Sequence, residues 1–211
     1  MSLAEIARVL WRRRDNRPLA HEFLAAGSRL WIAILVPLAA LTGVLLVSAQ
    51  TKAPSEYELK AAFLYHFAQF VEWPPQALDD AGSPLVYCTL GDDPFQGGLD
   101  TALMGKTLGT HPLQVRHLKH SLEAHGCQVV FIGGQEKKLL ASTLAALKDD
   151  SVLVVGESEH FAQDGGTIGF CLEGNKIRFD INLTSAAKAK LKVSSKLLAL
   201  AKNVIGGPKG T

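Results

Sequence analysis

In the segment Lys176-Ile-Arg-Phe-Asp-Ile-Asn182, polar and apolar side chains alternate. An extended chain puts Arg178, Asp180 and Asn182 on one face and Ile177, Phe179 and Ile181 on the other. Arg178 offers a planar fork of donors suited to a carboxylate or a phosphate. Lys196, on the helix expected to follow, adds a second cation if that helix folds back over the strand. These four residues form the candidate surface for a partner or a ligand. The same alternation also describes the solvated face of an edge strand.

A second polar group occupies Gly156-Glu-Ser-Glu-His-Phe161, after an apolar run. Glu157, Glu159 and His160 can work as acid and base with Asp92 or Asp93. No nucleophile elbow, zinc motif or paired-carboxylate spacing accompanies them, so no catalytic residue is assigned and the chain is expected not to be an enzyme. Met104-Gly-Lys-Thr107 imitates the end of a P-loop, but Asp100 stands where that motif needs glycine, and no strand leads into it. His111, His117, His120 and His125 are the densest histidine group. Their spacing fits a solvated turn and matches no ligand set, so neither a metal nor a cofactor is expected.

The scaffold that must position these groups centres on Cys127-Gln-Val-Val-Phe-Ile-Gly-Gly134. A short unbroken apolar run reads as a strand buried on both faces, which means a parallel sheet under helices. Residues 135–148 follow with leucines at helical spacing, and Val152–Val155 is the next strand. Upstream, the pattern predicts a helix from Glu56 to Val71 with Ser55 and Glu58 as a capping box and with Leu59, Ala62, Phe63, Phe67, Phe70 and Val71 on one apolar face. It also predicts a strand at Leu85–Leu90, a helix at Gln96–Met104 and a strand nearer the sheet edge at Leu113–Leu118. Downstream, Thr167–Leu172 and Lys176–Leu183 form a hairpin through Glu173-Gly-Asn175, and a final helix runs from about Ser185 to Val204. The fold class is α/β: a single domain, mostly parallel sheet flanked by helices, with a C-terminal β-hairpin and helix.

The N-terminal part has a different composition. Trp31–Val47 is an uncharged apolar run of 17 residues, preceded by Arg12, Arg13, Arg14, Arg17 and Arg29 and closed by Val47-Ser48-Ala49. This is the layout of a signal peptide, with an uncleaved membrane anchor as the alternative. Residues 1–49 are therefore assigned to the leader and residues 50–211 to an exported domain. The whole chain carries +2, but the leader holds six arginines and three acids, which leaves the domain 16 basic and 17 acidic groups. No basic patch for nucleic acid remains. Export places Cys88, Cys127 and Cys171 in an oxidising compartment, where the odd one of three is left over or pairs between chains. A bridge between the strands carrying Cys88 and Cys127 is geometrically reasonable; three inert buried thiols are the alternative.

Ile177–Leu183 with Val193–Ala201 resembles the YfiR-like family of exported bacterial proteins, as do Lys60–Phe67 with Trp73-Pro74, Asp93-Pro-Phe95, and Gly105–Leu108 with Val115-Arg116. The resemblance covers about residues 56–205. It implies a non-enzymatic periplasmic regulator, repressing a membrane-bound diguanylate cyclase in cyclic di-GMP signalling, in response to redox or envelope state, and acting as a homodimer. It also implies that Cys88 and Cys127 match one family disulfide, and that Cys171 matches half of a second whose other half has no counterpart here. The alternative is a periplasmic small-ligand receptor or cryptic enzyme that uses the carboxyl-end loops of the sheet.

Overall fold

The computed structural model describes residues 54–78, 82–134 and 137–207. The leader and its apolar run lie outside them; among the described residues no helix is long and apolar enough to cross a membrane. The first helix, α1 (Glu56–Gln69), starts at the expected capping box: Ser55 Oγ accepts from the Glu58 N–H while Glu58 accepts from the Ser55 N–H. A two-residue strand, β1 (Val71–Glu72), and a 3-10 turn at Pro75–Ala77 lead to β2 (Leu85–Leu90). Then come α2 (Gly98–Leu103), β3 (Thr107–Leu108), β4 (His111–Leu118), a 3-10 turn at Ser121–Ala124, β5 (Val129–Ile132), α3 (Lys137–Ala146) and β6 (Leu153–Gly156). The chain closes with β7 (Ile168–Glu173), β8 (Lys176–Asn182), α4 (Leu183–Lys188), β9 (Lys192–Val193), α5 (Ser195–Leu198) and β10 (Asn203–Ile205).

Eight strands form one sheet in the order β10-β8-β7-β6-β5-β2-β4-β3. Strands β4, β2, β5, β6 and β7 run parallel, and β8 returns antiparallel to β7 as the expected hairpin. The apolar runs behave as their patterning requires, because β2, β5 and β6 are buried at every position. One core packs α1 and α2 on Tyr87, Val129, Phe131, Val155, Phe170 and Phe179. The other packs Leu140, Leu147 and Phe161 on Val86, Cys88, Val130, Ile132 and Val154. Alternate residues of the same strands thus fill opposite cores.

The aromatic ring of Phe161 needs two glycines. A Cβ at Gly156 would lie 2.1 Å from one edge of the ring, and one at Gly166 would lie 2.1 Å from the other. Phe161 is itself 1% exposed, so the ring has nowhere to retreat. Gly156→Ala should therefore destabilise the domain by about 1–3 kcal/mol through overpacking. Urea denaturation measures it, and a loss under ~0.5 kcal/mol would mean the ring can move aside.

Two expectations need correction. The long final helix does not exist: Lys190 takes a left-handed backbone (φ 58°), and the chain then pairs β9 with β1 and β10 with β8. Only α4 and the single turn α5 are helical there. The small and polar residues in this stretch gave a helical spacing without a continuous apolar face, and strand pairing wins over that weak preference. The second correction concerns α1. Its buried positions are Lys60, Ala61, Leu64, Phe67 and Ala68, whereas Leu59 is 40% exposed. Apolar side chains lie on nearly every side of this helix, so periodicity alone does not fix which side turns inward.

Candidate functional site at the carboxyl end of the sheet

Strands β5 and β6 end together, at Gly133-Gly134 and at Glu157, while β7 continues past them to Glu173. The first turns of α1 approach the same place. Between them lies a cleft of about 590 Å³, lined by Tyr57 and Lys60 from α1, by Glu157 and Glu159, and by Phe170 and Cys171 of β7. That volume is within the range of small-molecule sites.

Lys60 organises the cleft. It is only 4% exposed, and its ammonium pairs with Glu56 at 2.5 Å and with the Oε2 atom of Glu157. The same ammonium sits over the Tyr57 ring at 4.6 Å and over the Phe170 ring at 5.9 Å. The other oxygen of Glu157 accepts from the Tyr57 hydroxyl at 3.2 Å and from the Gly134 N–H at 3.0 Å. Burial pushes the Lys60 pKa down, but the hydrogen bonds to Glu157 and Glu56 outweigh it and hold it above its ordinary value. Burial, and then the charge of Glu157, raise the pKa of the Tyr57 hydroxyl. Burial, and then the charge of Asp180, also raise that of Cys171, so this thiol is not an activated nucleophile. The cleft thus gathers charged, phenolic and aromatic groups that can bind a ligand.

Sequence reading placed Glu157 and Glu159 at this carboxyl end but missed Lys60 and Tyr57. Glu159 is 3.6 Å from His160 and both are exposed. Asp93 does not join them: its carboxylate accepts from the backbone N–H groups of Phe95 and Gly97 and lies 3.8 Å from His117. His117 also meets Thr89 at 2.7 Å and Asp100 at 3.2 Å. Those distances resemble a hydroxyl–histidine–carboxylate relay, but Thr89 is 1% exposed and no substrate can reach its oxygen. The remaining histidines go separate ways, His111 to the Ser83 carbonyl and His125 to Asp150, while His120 stands at the start of a 3-10 turn. Among the described residues no group of three or more His, Cys, Asp or Glu is placed to hold a metal ion.

The polar stripe of β8 is only partly a surface, and β8 is not an edge strand, since β10 lies outside it. Asn182 is 7% exposed, donates to the Ala162 carbonyl at 2.7 Å and caps α4 by accepting from the Ser185 N–H. Asp180 accepts from Asn203 at 2.8 Å and from Gln163 at 3.3 Å. Arg178 is half-buried opposite Cys171, and its Nε makes no hydrogen bond. Lys196 is exposed on α5, and its ammonium has no ion-pair partner among the described residues. The long helix that would have carried it back over the hairpin is absent.

Cys88 and Cys127 are joined by a disulfide, with Cα atoms 6.1 Å apart, and Cys171 is free. Residues 57–202 match the family described as YfiR/HmsC-like. The chain belongs to the YfiR/HmsC-like family. No curated protein matches the chain. Among solved structures, a conserved domain protein from Vibrio cholerae is similar at 10% identity and a TM-score of 0.45, over 71% of this chain and 60% of that one. An ABC domain from Streptococcus pneumonia, solved with L-Trp, is similar at 8% identity and a TM-score of 0.47, over the same shares of 71% and 60%. Likeness at that level says nothing of what this YfiR/HmsC-like domain binds.

Proposed function

We propose that this chain is a non-enzymatic regulator that docks on a membrane-bound diguanylate cyclase and represses it in response to redox or envelope state. In this reading residues 1–49 are a signal peptide or anchor, residues 50–211 are the periplasmic domain, and the working unit is a homodimer. The observation that carries it is the family match over residues 57–202, which spans nearly the whole domain. Arg178 and Lys196 are the proposed contacts: neither forms an ion pair among the described residues, and both are at least partly exposed. The experiment is capture from membranes with the exported domain as bait, followed by cyclic di-GMP measurement in cells with and without the gene. A cyclase should be recovered, and loss of the gene should raise cyclic di-GMP severalfold; unchanged levels would sink the reading.

Arg178→Ala should separate binding from folding. Its half-buried side chain has no hydrogen bond through Nε to lose, so Tm should stay within about 2 °C, corresponding to ~0.5 kcal/mol or less. Cyclase capture should weaken at the same time. Unfolding would instead assign Arg178 a structural role, and unchanged capture would remove it from the interface.

The cleft around Lys60 favours a second reading, a small-ligand receptor, because it joins a volume of small-molecule size to convergent polar groups. Mass spectrometry of the protein released from native purification tests it, with a co-purified small molecule as the expected sign.

A further inference from the structure

Strand β7 is six residues long, and β8 pairs with all six of them. On its other side β6 pairs only through Val155↔Ile168 and Gly156↔Gly169, after which β6 turns away at Glu157. Phe170 to Glu173 therefore have a ladder partner on one side only. The cleft described above runs along this unpaired stretch, which leaves room for about four residues of added strand at ~3.3 Å each. Unpaired strand backbone beside an open cleft is the geometry that accepts an extended peptide as one more strand.

The side chains say what kind of peptide. Phe170 points to α1, where it meets Phe63 and Phe67, and Leu172 has the same orientation and is 59% exposed. An added strand would find apolar partners on that side at alternate positions. Among the described residues the rim is acidic: Glu56, Glu157 and Glu159 line the cleft against one cation, Lys60, whose charge is already taken by Glu56 and Glu157. The excess is two negative charges, so the complement is cationic.

We infer that the cleft is a groove for an extended peptide segment in which basic and apolar residues alternate, bound by strand addition to Phe170–Glu173. This rests on reading the domain as a binding module and is independent of which protein supplies the segment. Cys171 reports on occupancy, because it lines the cleft and is the free thiol among the described residues.

The test uses the purified full chain in mild detergent and three amidated octapeptides: alternating lysine–valine, alternating glutamate–valine, and the lysine–valine peptide with alternate backbone nitrogens methylated. Maleimide labelling of Cys171 should slow at least tenfold with saturating lysine–valine peptide and stay unchanged with the other two. Glu159→Lys should weaken that protection three- to tenfold, since Glu159 is exposed and outside the Lys60 network. Protection by the glutamate peptide or by the methylated peptide, or none at millimolar lysine–valine peptide, overturns the groove. If those failures accompany intact cyclase repression, the groove alone is lost and the regulatory reading stands.

Discussion

Replacing Lys60 by methionine is expected to lower the stability of the domain by about 3–5 kcal/mol, because it strands a buried carboxylate. The Glu157 side chain is only 10% exposed, and its neutralising partner is the Lys60 ammonium. Methionine keeps the length and the apolar stem, so the loss reports the charge rather than a cavity. For a domain of this size the fall in Tm should be roughly 10 °C. Glu157→Gln in the same chain should recover part of it, because a neutral amide can be buried beside methionine at lower cost. The double-mutant cycle measures the coupling, and a single-mutant loss below ~1 kcal/mol would show that water reaches the pair. Alkaline pH gives a second readout. The Lys60 pKa is raised in the folded chain, so its contribution is fully present below the ordinary lysine value, ~10.4, and is lost as pH rises through the folded value. Tyr57 and Tyr87 act in the same direction, since burial first of all raises both and the fold holds their protons. The contribution of these three groups should be level from neutrality to about pH 10 and fall above it, and Lys60→Met should flatten that fall.

Breaking the Cys88–Cys127 bridge is expected to cost a comparable amount, about 3–4 kcal/mol, for a different reason. The bridge links residues 39 apart, so the unfolded chain regains the freedom of a long loop when it is cut. That loop holds α2, β3 and β4, and β4 forms one flank of β2. Cys88→Ser should lower the urea midpoint clearly, while Cys171→Ser, at a half-buried position outside the bridge, should change it little. Alkylation without reduction, read by mass spectrometry, should label Cys171 and spare the other two. Both bridged cysteines are about 2% exposed or less, so a reductant reaches them only when the domain opens. The reduction rate should therefore rise steeply with sub-denaturing urea. A rate independent of urea would show the sulfurs to be open to solvent in the native state, as a fast redox switch requires.

The parallel sheet was legible in the sequence because strands covered on both faces must be apolar throughout. The runs ending at Ile132 and Val155 meet that condition and Leu85–Leu90 departs from it chiefly at Thr89, and the structure buries these strands at every position. The hairpin and the Ser55 capping box were equally visible, since turn residues and caps act over a few positions. Other features depended on distant partners. Residues 185–204 read as one helix by local spacing, but the pairing of β9 with β1 and β10 with β8 decides their structure. Asn182 looked like part of a surface stripe until Ala162 and Ser185, neither its strand neighbour, took up its amide. The cleft was the least legible of all. Lys60 and Glu157 are separated by 97 positions, and a lysine on a helix reads as solvated unless a carboxylate meets it inside. Local physical chemistry in the sequence determined where strands form and how the hairpin turns. Which side of α1 turns inward, and which charges it buries there, only the packed sheet could decide, because Glu157, which meets Lys60 inside, lies 97 positions further along the chain.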